Sequence, residues 1–135
     1  MREDMAANTK PPILVSVDEH ERLSKLAEAI ADRQPDVARE LAFEMDRAEV
    51  VEASELPSNV VRMGSTVTFR ADNSERRVTL VYPVDADIEQ ARISVLTPIG
   101  AALIGTSPGQ SISWIDRDGR KHDLTVIACE PPARD

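Results

Sequence analysis

Aromatic residues are scarce in this sequence, and its 135 residues include only Phe43, Phe69, Tyr82 and Trp114. So few rings argue against a substrate pocket walled by aromatic side chains. They also argue against a stacking platform for single-stranded nucleic acid, which needs aromatic faces along a groove.

Positive charge is also in deficit, because 16 lysines and arginines stand against 24 aspartates and glutamates. The formal net charge is −8. Tight binding to DNA or RNA needs a basic face that displaces counterions. The basic groups present are small and are typical of solvated turns: Arg76 with Arg77, and Arg117 with Arg120 and Lys121. We therefore predict no direct high-affinity binding of nucleic acid. An acidic protein of this kind suits a basic protein partner, or no charged partner at all.

Cysteine occurs once, as Cys129, so no disulfide can form within the chain. Cys129 lies in an alternating run typical of a strand, where we expect it to pack as a small apolar side chain. A catalytic thiol needs an activating base, and His20 and His122 lie in unrelated parts of the sequence. No signal peptide or membrane-spanning run is recognisable. We expect a cytoplasmic protein without membrane association.

The first part of the chain predicts an antiparallel helical hairpin. Ser16 and Glu19 fit a capping box, which predicts a helix over 17–32. Pro35 suits the first turn of a second helix, because its missing amide costs nothing there. The second apolar stripe ends near Glu52 and consists of Val37, Leu41, Met45, Ala48 and Val51. The arms are then about 20–27 Å long at the helical rise.

Beyond the hairpin the apolar period changes to two, which is typical of strands. The runs "STVTFR", "VTLVYP", "ARISVL", "SISWID" and "KHDLTVIACE" predict four or five short, mostly antiparallel strands. The fold class is therefore α+β. We predict a flexible leader over 1–12, the helical hairpin over 13–53 and a mostly antiparallel β domain with one short helix over 54–135.

That short helix is predicted in "LTPIGAALIG", residues 96–105. Pro98 opens it, and Gly105 ends it. We expect Ile99, Leu103 and Ile104 to point into the core. The small residues Gly100, Ala101 and Ala102 are then expected to form its outward side, as a low surface for another protein. The stretch lacks the lysine and hydroxyl of a phosphate-binding loop.

Several segments resemble the Rnk proteins, which are called regulators of nucleoside diphosphate kinase and belong to the wider GreA/GreB transcription elongation factor family. These segments are "EMDRAEVV", "LPSNVVRMGSTVTF", "VTLVYP" and "ISVLTPIGAALIGTSPGQSISW". The most specific motif is serine or threonine, proline, isoleucine, any three residues, leucine, isoleucine and glycine. This sequence matches it with Thr97, Pro98, Ile99, Leu103, Ile104 and Gly105.

The resemblance implies an FKBP-like carboxy-terminal domain behind the hairpin. It also implies docking on core RNA polymerase beside the secondary channel, on a coiled coil of the largest catalytic subunit. Carried over residue by residue, the docking surface comprises Tyr82, Asp85, Asp87, Thr97, Pro98, Ile99 and Ala102.

Gre factors hold a catalytic magnesium with acidic residues at the hairpin tip. This sequence departs from the family pattern at that point. The carboxylates nearest the predicted tip are Asp32, Asp36 and Glu40. Asp36 and Glu40 share a helix face, but a favourable charge near a helix start and a solvated face residue explain them as well. The hairpin is also shorter than a Gre hairpin. We therefore expect neither a metal site nor stimulation of transcript cleavage.

Enzymatic function finds no support in the residue pattern, because no Ser–His–Asp set and no Cys/His metal spacing occurs. A prolyl isomerase of the related fold would need more aromatic rings. We therefore expect no cofactor and a non-enzymatic regulator that binds RNA polymerase and competes with Gre factors. The alternative is an interaction module that regulates nucleoside diphosphate kinase or nucleotide metabolism.

Overall fold

The computed structural model describes residues 12–115 and 118–132, so the predicted leader, apart from Pro12, and Arg117 lie outside the described residues. A short strand β1 (Leu14–Ser16) leads into helix α1 (Val17–Ile30), which a tight turn joins to helix α2 (Pro35–Arg47). The amides of Arg33 and Gln34 both donate to the Ile30 carbonyl and close that turn. The predicted antiparallel hairpin is confirmed, and arms of 14 and 13 residues are each about 20 Å long.

The predicted caps are confirmed in part. The Ser16 hydroxyl accepts a hydrogen bond from the Glu19 amide at 3.2 Å, and Pro35 occupies the first turn of α2. The predicted reciprocal hydrogen bond, from the Glu19 side chain back to the start of the helix, is wrong. The Glu19 carboxylate accepts from the Met63 amide, at 3.2 and 3.4 Å, because the segment before the main sheet packs against the first turn of α1.

Helix α2 ends at Arg47, so the predicted extension to Glu52 is wrong. After it the chain forms strand β2 (Glu49–Val51), which pairs in parallel with β1. The open edge of β1 offers backbone partners, and the Glu49 amide donates to the Ile13 carbonyl at 3.0 Å. Two consecutive β-branched valines in β2 suit such an extended segment.

The main sheet has five strands in the order β5-β4-β3-β7-β6. Their bounds are β3 Thr66–Ala71, β4 Ser74–Val81, β5 Arg92–Ser94, β6 Ser111–Ile115 and β7 Lys121–Glu130. Neighbours run antiparallel except β4 and β5, which are parallel. Helix α3 (Pro98–Leu103) lies between β5 and β6 in the chain. The predicted α+β class with a mostly antiparallel sheet is confirmed.

A bulge in β7 decides which of its side chains face the core. Phe69 pairs with Val126 and Thr68 pairs with Ala128, so Ile127 is the additional residue. An extra residue reverses the alternation of side chains beyond it. Cys129 is therefore turned toward the core and packs against it, as expected from the sequence.

One cluster of buried apolar side chains connects the hairpin with the sheet. The hairpin contributes Leu23, Leu41 and Met45, while the sheet contributes Phe69 and Leu80. Alternate residues of a strand point to opposite sides, and the threonines and arginine of β3 that face away from Phe69 are partly or fully exposed. The helices therefore cover one face of the sheet and leave the other to solvent.

Glu19 is a partly buried carboxyl at the junction between the hairpin and the segment before the main sheet. Burial raises the pKa of Glu19, while the Met63 hydrogen bond and the nearby Arg62 and Arg22 lower it by less. A carboxyl with a raised pKa binds its proton more tightly in the folded chain than in the unfolded chain. Its contribution to stability is therefore present below the ordinary pKa of 4.5 and is lost as the pH rises through the raised value.

We expect Glu19→Gln to remove this loss, because the amide oxygen still accepts from Met63 without carrying charge. Stability relative to the unmodified chain should increase as the pH rises from below 4.5 toward neutrality. Thermal unfolding across that range measures it, with Glu28→Gln at an exposed position of α1 as the control. An equal change in both variants would contradict a specific effect of the Glu19 environment.

Candidate partner-binding face

An exposed loop leaves the end of β4 and returns to the start of β5. It contains two short 3-10 turns, Pro83–Asp85 and Ile88–Gln90. The Asp85 amide donates to the Tyr82 carbonyl at 2.9 Å. The Asp87 carboxylate accepts from the Glu89 amide at 3.1 Å and caps the second turn. Asp85 and Asp87 are both exposed, so their charges are open to a partner.

Tyr82 lies between this loop and the hairpin. It is half-buried and packs against the core, and its ring lines a shallow groove with Arg22, Lys25 and Leu26 of α1. The Tyr82 hydroxyl is shielded from solvent. It forms no hydrogen bond with any of the described residues. Interaction with the Tyr82 side chain raises the pKa of the Arg22 guanidinium. The sequence had not connected Arg22 with this face.

The start of α3 forms the neighbouring part of the face. Thr97 is the capping residue: its hydroxyl accepts from the Gly100 amide at 3.0 Å and donates to the Ser94 carbonyl at 2.8 Å. Pro98 begins the helix, as predicted. Thr97, Pro98 and Ile99 are each partly exposed, and Ile99 also packs against the core.

Parallel pairing of β4 with β5 brings these two parts together. Val81 pairs with Ser94, and the Val95 amide donates to the Val81 carbonyl at 2.9 Å. The chain therefore leaves both strands at the same end of the sheet. We use the name docking face for six of the residues for which docking is predicted and which emerge there: Tyr82, Asp85, Asp87, Thr97, Pro98 and Ile99.

The seventh, Ala102, does not belong to this face. It is only 2% exposed, and Ala101 and Gly100 are buried as well, so the predicted outward side of α3 is wrong. Helix α3 packs against α2 and β6. A Cβ at Gly100 would collide with the Ser94 carbonyl oxygen. These residues are small because α3 approaches its neighbours closely inside the protein.

The remaining residues of that stretch follow the prediction. Leu103 and Ile104 are fully buried. Gly105 follows the helix with φ of +80°, a conformation that glycine adopts without strain.

The hairpin tip does not assemble its carboxylates. Asp36 is strongly exposed and forms an ion pair with Arg39 at 3.4 Å, one helical turn along. Asp32 is exposed in the turn region, and Glu40 is half-buried with an interaction of its own. Among the described residues no group of three or more His, Cys, Asp or Glu side chains is placed to hold a metal ion.

The other reactive side chains lie apart from the docking face. Burial raises the pKa of the Cys129 thiol, which favours the unreactive protonated form. The His20 ring contacts the Met45 carbonyl through Nε2 at 3.0 Å, and His122 lies 3.7 Å from Asp72. Each histidine is thus engaged within a different structural element.

A short helical hairpin that packs on one face of such a sheet, together with a proline-started helix beside an acidic loop, is the arrangement expected of a protein of the Gre class. Comparison with family models agrees. The model described as "Transcription elongation factor, GreA/GreB, C-term" matches residues 56–131, and that described as "Rnk N-terminus" matches residues 11–51. The chain belongs to the GreA/GreB transcription elongation factor family, with an amino-terminal segment of the Rnk type.

Individual relatives support the same assignment. The regulator of nucleoside diphosphate kinase from Escherichia coli (strain K12) is 36% identical over 124 residues, which cover 90% of this chain and 91% of that protein. The transcription elongation factor GreA from Rhodospirillum rubrum is 36% identical over 129 residues, covering 87% and 82%. The solved structure of a transcription elongation factor GreA/GreB from Nitrosomonas europaea has a TM-score of 0.71 at 37% identity, covering 87% of this chain and 98% of that chain.

The resemblance recognised in the sequence is thereby confirmed.

Within the part of the chain that the structure describes, no helix combines the length and the apolar character needed to cross a membrane.

Leu103 anchors α3 beneath the docking face, because its side chain is fully buried. We expect Leu103→Ala to lower the free energy of unfolding by about 2–5 kcal/mol, through lost apolar contact and a residual cavity. Chemical denaturation measures this. Val84→Ala is the control, since Val84 is exposed in the acidic loop and should change stability by less than about 0.5 kcal/mol. Equal midpoints for both variants would be incompatible with Leu103 as a core residue.

Proposed function

We propose that this protein is a transcription regulator that binds core RNA polymerase and docks beside the secondary channel without stimulating transcript cleavage. The observation that carries the proposal is the convergence of the acidic loop and the start of α3 at one end of the sheet. That end lies within residues 56–131, which match the GreA/GreB family model. A cytoplasmic location follows from such a partner.

The proposed contact is between the docking face and a coiled coil of the largest catalytic subunit of the polymerase. Exposed carboxylates of Asp85 and Asp87 suit a basic partner surface, and a net charge of −8 favours approach to it. Thr97 and Pro98 add a rigid neighbouring surface, because the Thr97 hydroxyl is held by two hydrogen bonds. We also propose that the sheet domain is FKBP-like.

We propose that the protein does not stimulate transcript cleavage because of the length of its hairpin and the placement of the carboxylates at the hairpin tip. Its arms are about 20 Å long at the helical rise, which is short for reaching the catalytic magnesium from the channel entrance. Its tip carboxylates are dispersed, and Asp36 pairs with Arg39. A magnesium ion needs several oxygen ligands in near-octahedral geometry. We therefore propose a role in occupying the docking site, and no catalytic role.

A second candidate is regulation of nucleoside diphosphate kinase. Its support is the name of the relatives that match 90% of this chain. No described feature of the surface selects that enzyme as a partner. Immobilised protein offered purified core polymerase and purified kinase separately distinguishes the two, and retention of the kinase alone would overturn the polymerase proposal.

We expect Asp85→Lys with Asp87→Asn to weaken binding to core polymerase at low salt by about tenfold or more, with a smaller effect at high salt, because charges at an interface are screened. Asparagine keeps an acceptor for the Glu89 amide and preserves the loop turn. Thermal stability should change little, since exposed charges contribute little to folding. Fluorescence titration measures affinity.

Glu52→Lys with Glu55→Gln is the matched control, because it makes the same charge change at exposed residues of another segment. Equal weakening by both variants would show a general effect of net charge and would contradict the proposed face.

Competition with a Gre factor is the second expectation. In a backtracked elongation complex the protein alone should leave the transcript uncut. In excess it should slow Gre-dependent cleavage, and added Gre factor should restore the rate, because one docking site admits one occupant. Transcript lengths on a sequencing gel measure both effects. Asp36→Ala with Glu40→Ala should change neither, and cleavage by the purified protein that this variant abolishes would show a catalytic tip.

A further inference from the structure

Two apolar side chains of the acidic loop are almost completely exposed. Val84 is 88% exposed and Ile88 is 89% exposed. The other large apolar side chains that are exposed in the described part of the chain range from 40% to 53%. Single exposed apolar residues are common on protein surfaces, whereas two at this level in one loop are a marked departure.

Their exposure is built into an ordered loop. Asp87 and Arg92 exchange two backbone hydrogen bonds at 2.9 Å, and the Ala86 amide donates to the Pro83 carbonyl at 3.2 Å. Ala91 closes the second turn in a left-handed conformation with φ of +58°. A backbone held in this way keeps Val84 and Ile88 in water without a covering element. A loop already held in one backbone conformation loses less backbone entropy on binding.

The charges around the pair identify the kind of surface that covers them. Asp85, Asp87 and Glu89 alternate with the apolar residues and outnumber Arg92, the basic residue where the loop ends, and all four are exposed. Two copies of the chain meeting through this loop would bring like charges together, which is unfavourable. Nucleic acid is disfavoured for the same reason. A surface with an apolar centre and a basic rim satisfies both the apolar and the acidic residues.

We propose that Val84 and Ile88, which lie in the acidic loop beside the residues of the docking face, anchor the interface by inserting into an apolar patch rimmed by lysine or arginine on the largest catalytic subunit of RNA polymerase. This inference rests on the proposed function and assigns the affinity to two residues outside the predicted set. Apolar anchors that become fully desolvated carry most of the energy of an interface, while charges at its rim act mainly on association rate and salt dependence.

The test compares two double variants with unchanged loop geometry. Val84→Thr with Ile88→Thr keeps β-branched side chains and net charge but removes apolar contact. Asp85→Asn with Asp87→Asn removes two charges and keeps the capping acceptor. Affinity for purified core polymerase is measured at low and high salt. Thermal unfolding confirms that each variant is folded, and sedimentation gives the oligomeric state.

We expect the threonine variant to lose affinity by about tenfold to a hundredfold at both salt concentrations. The asparagine variant should lose affinity mainly at low salt. Val17→Thr with Val50→Thr makes the same chemical exchange at partly exposed residues outside the loop and should bind normally.

Different results would overturn different statements. Unchanged affinity of the threonine variant, with normal binding by the unmodified chain, would refute the anchors and leave the proposed function standing. Failure of the unmodified chain to bind polymerase would refute both. Self-association that the threonine variant abolishes, with polymerase binding intact, would assign these side chains to a second copy of the chain and overturn the inference.

Discussion

The parallel pairing of β4 with β5 is the constraint on which the docking face depends. A parallel neighbour requires a connection that carries the chain back before the next strand begins. Residues 82–91 make that return, from the end of β4 back to the level of Thr79, which pairs with Arg92. The segment is too short to include a helix that would cover the sheet. Every residue over 83–92 is therefore exposed, which makes the loop available to a partner.

A missing side chain allows the second half of the face to lie beside the first. Strand β5 ends at Ser94, and helix α3 begins at Pro98, so the chain reverses within a few residues. Gly100 then faces the Ser94 carbonyl oxygen at a separation that leaves no room for a Cβ. Thr97 bonds to both sides of this reversal, accepting from Gly100 and donating to Ser94. Close packing inside α3 thus determines where the exposed start of the helix lies.

Features determined by nearby residues could be predicted from the sequence, and those that depend on a distant partner could not. Ser16 and Pro35 mark the helix starts through local chemistry. Val51 fits a helical stripe as well as a strand, and only the open edge of β1 decides between them. Ala102 suits a docking surface or a tight internal contact, and the positions of α2 and β6 decide. The acidic residues in the sequence identified the acidic loop. The exposure of Val84, in contrast, depends on the path that the chain takes from β4 to β5.

Shape and chemistry of the loop are carried largely by different atoms. Its shape rests on backbone hydrogen bonds such as those between Asp87 and Arg92, while most of its side chains point into water. The exposed positions can therefore change in charge or size without unfolding the loop, which is how surface loops vary in specificity on a constant scaffold. Asp87 is the exception, because its carboxylate both caps the second turn and contributes to the acidic surface. At that residue the requirements of the turn and of the proposed partner binding coincide, so asparagine preserves the turn while removing only the charge.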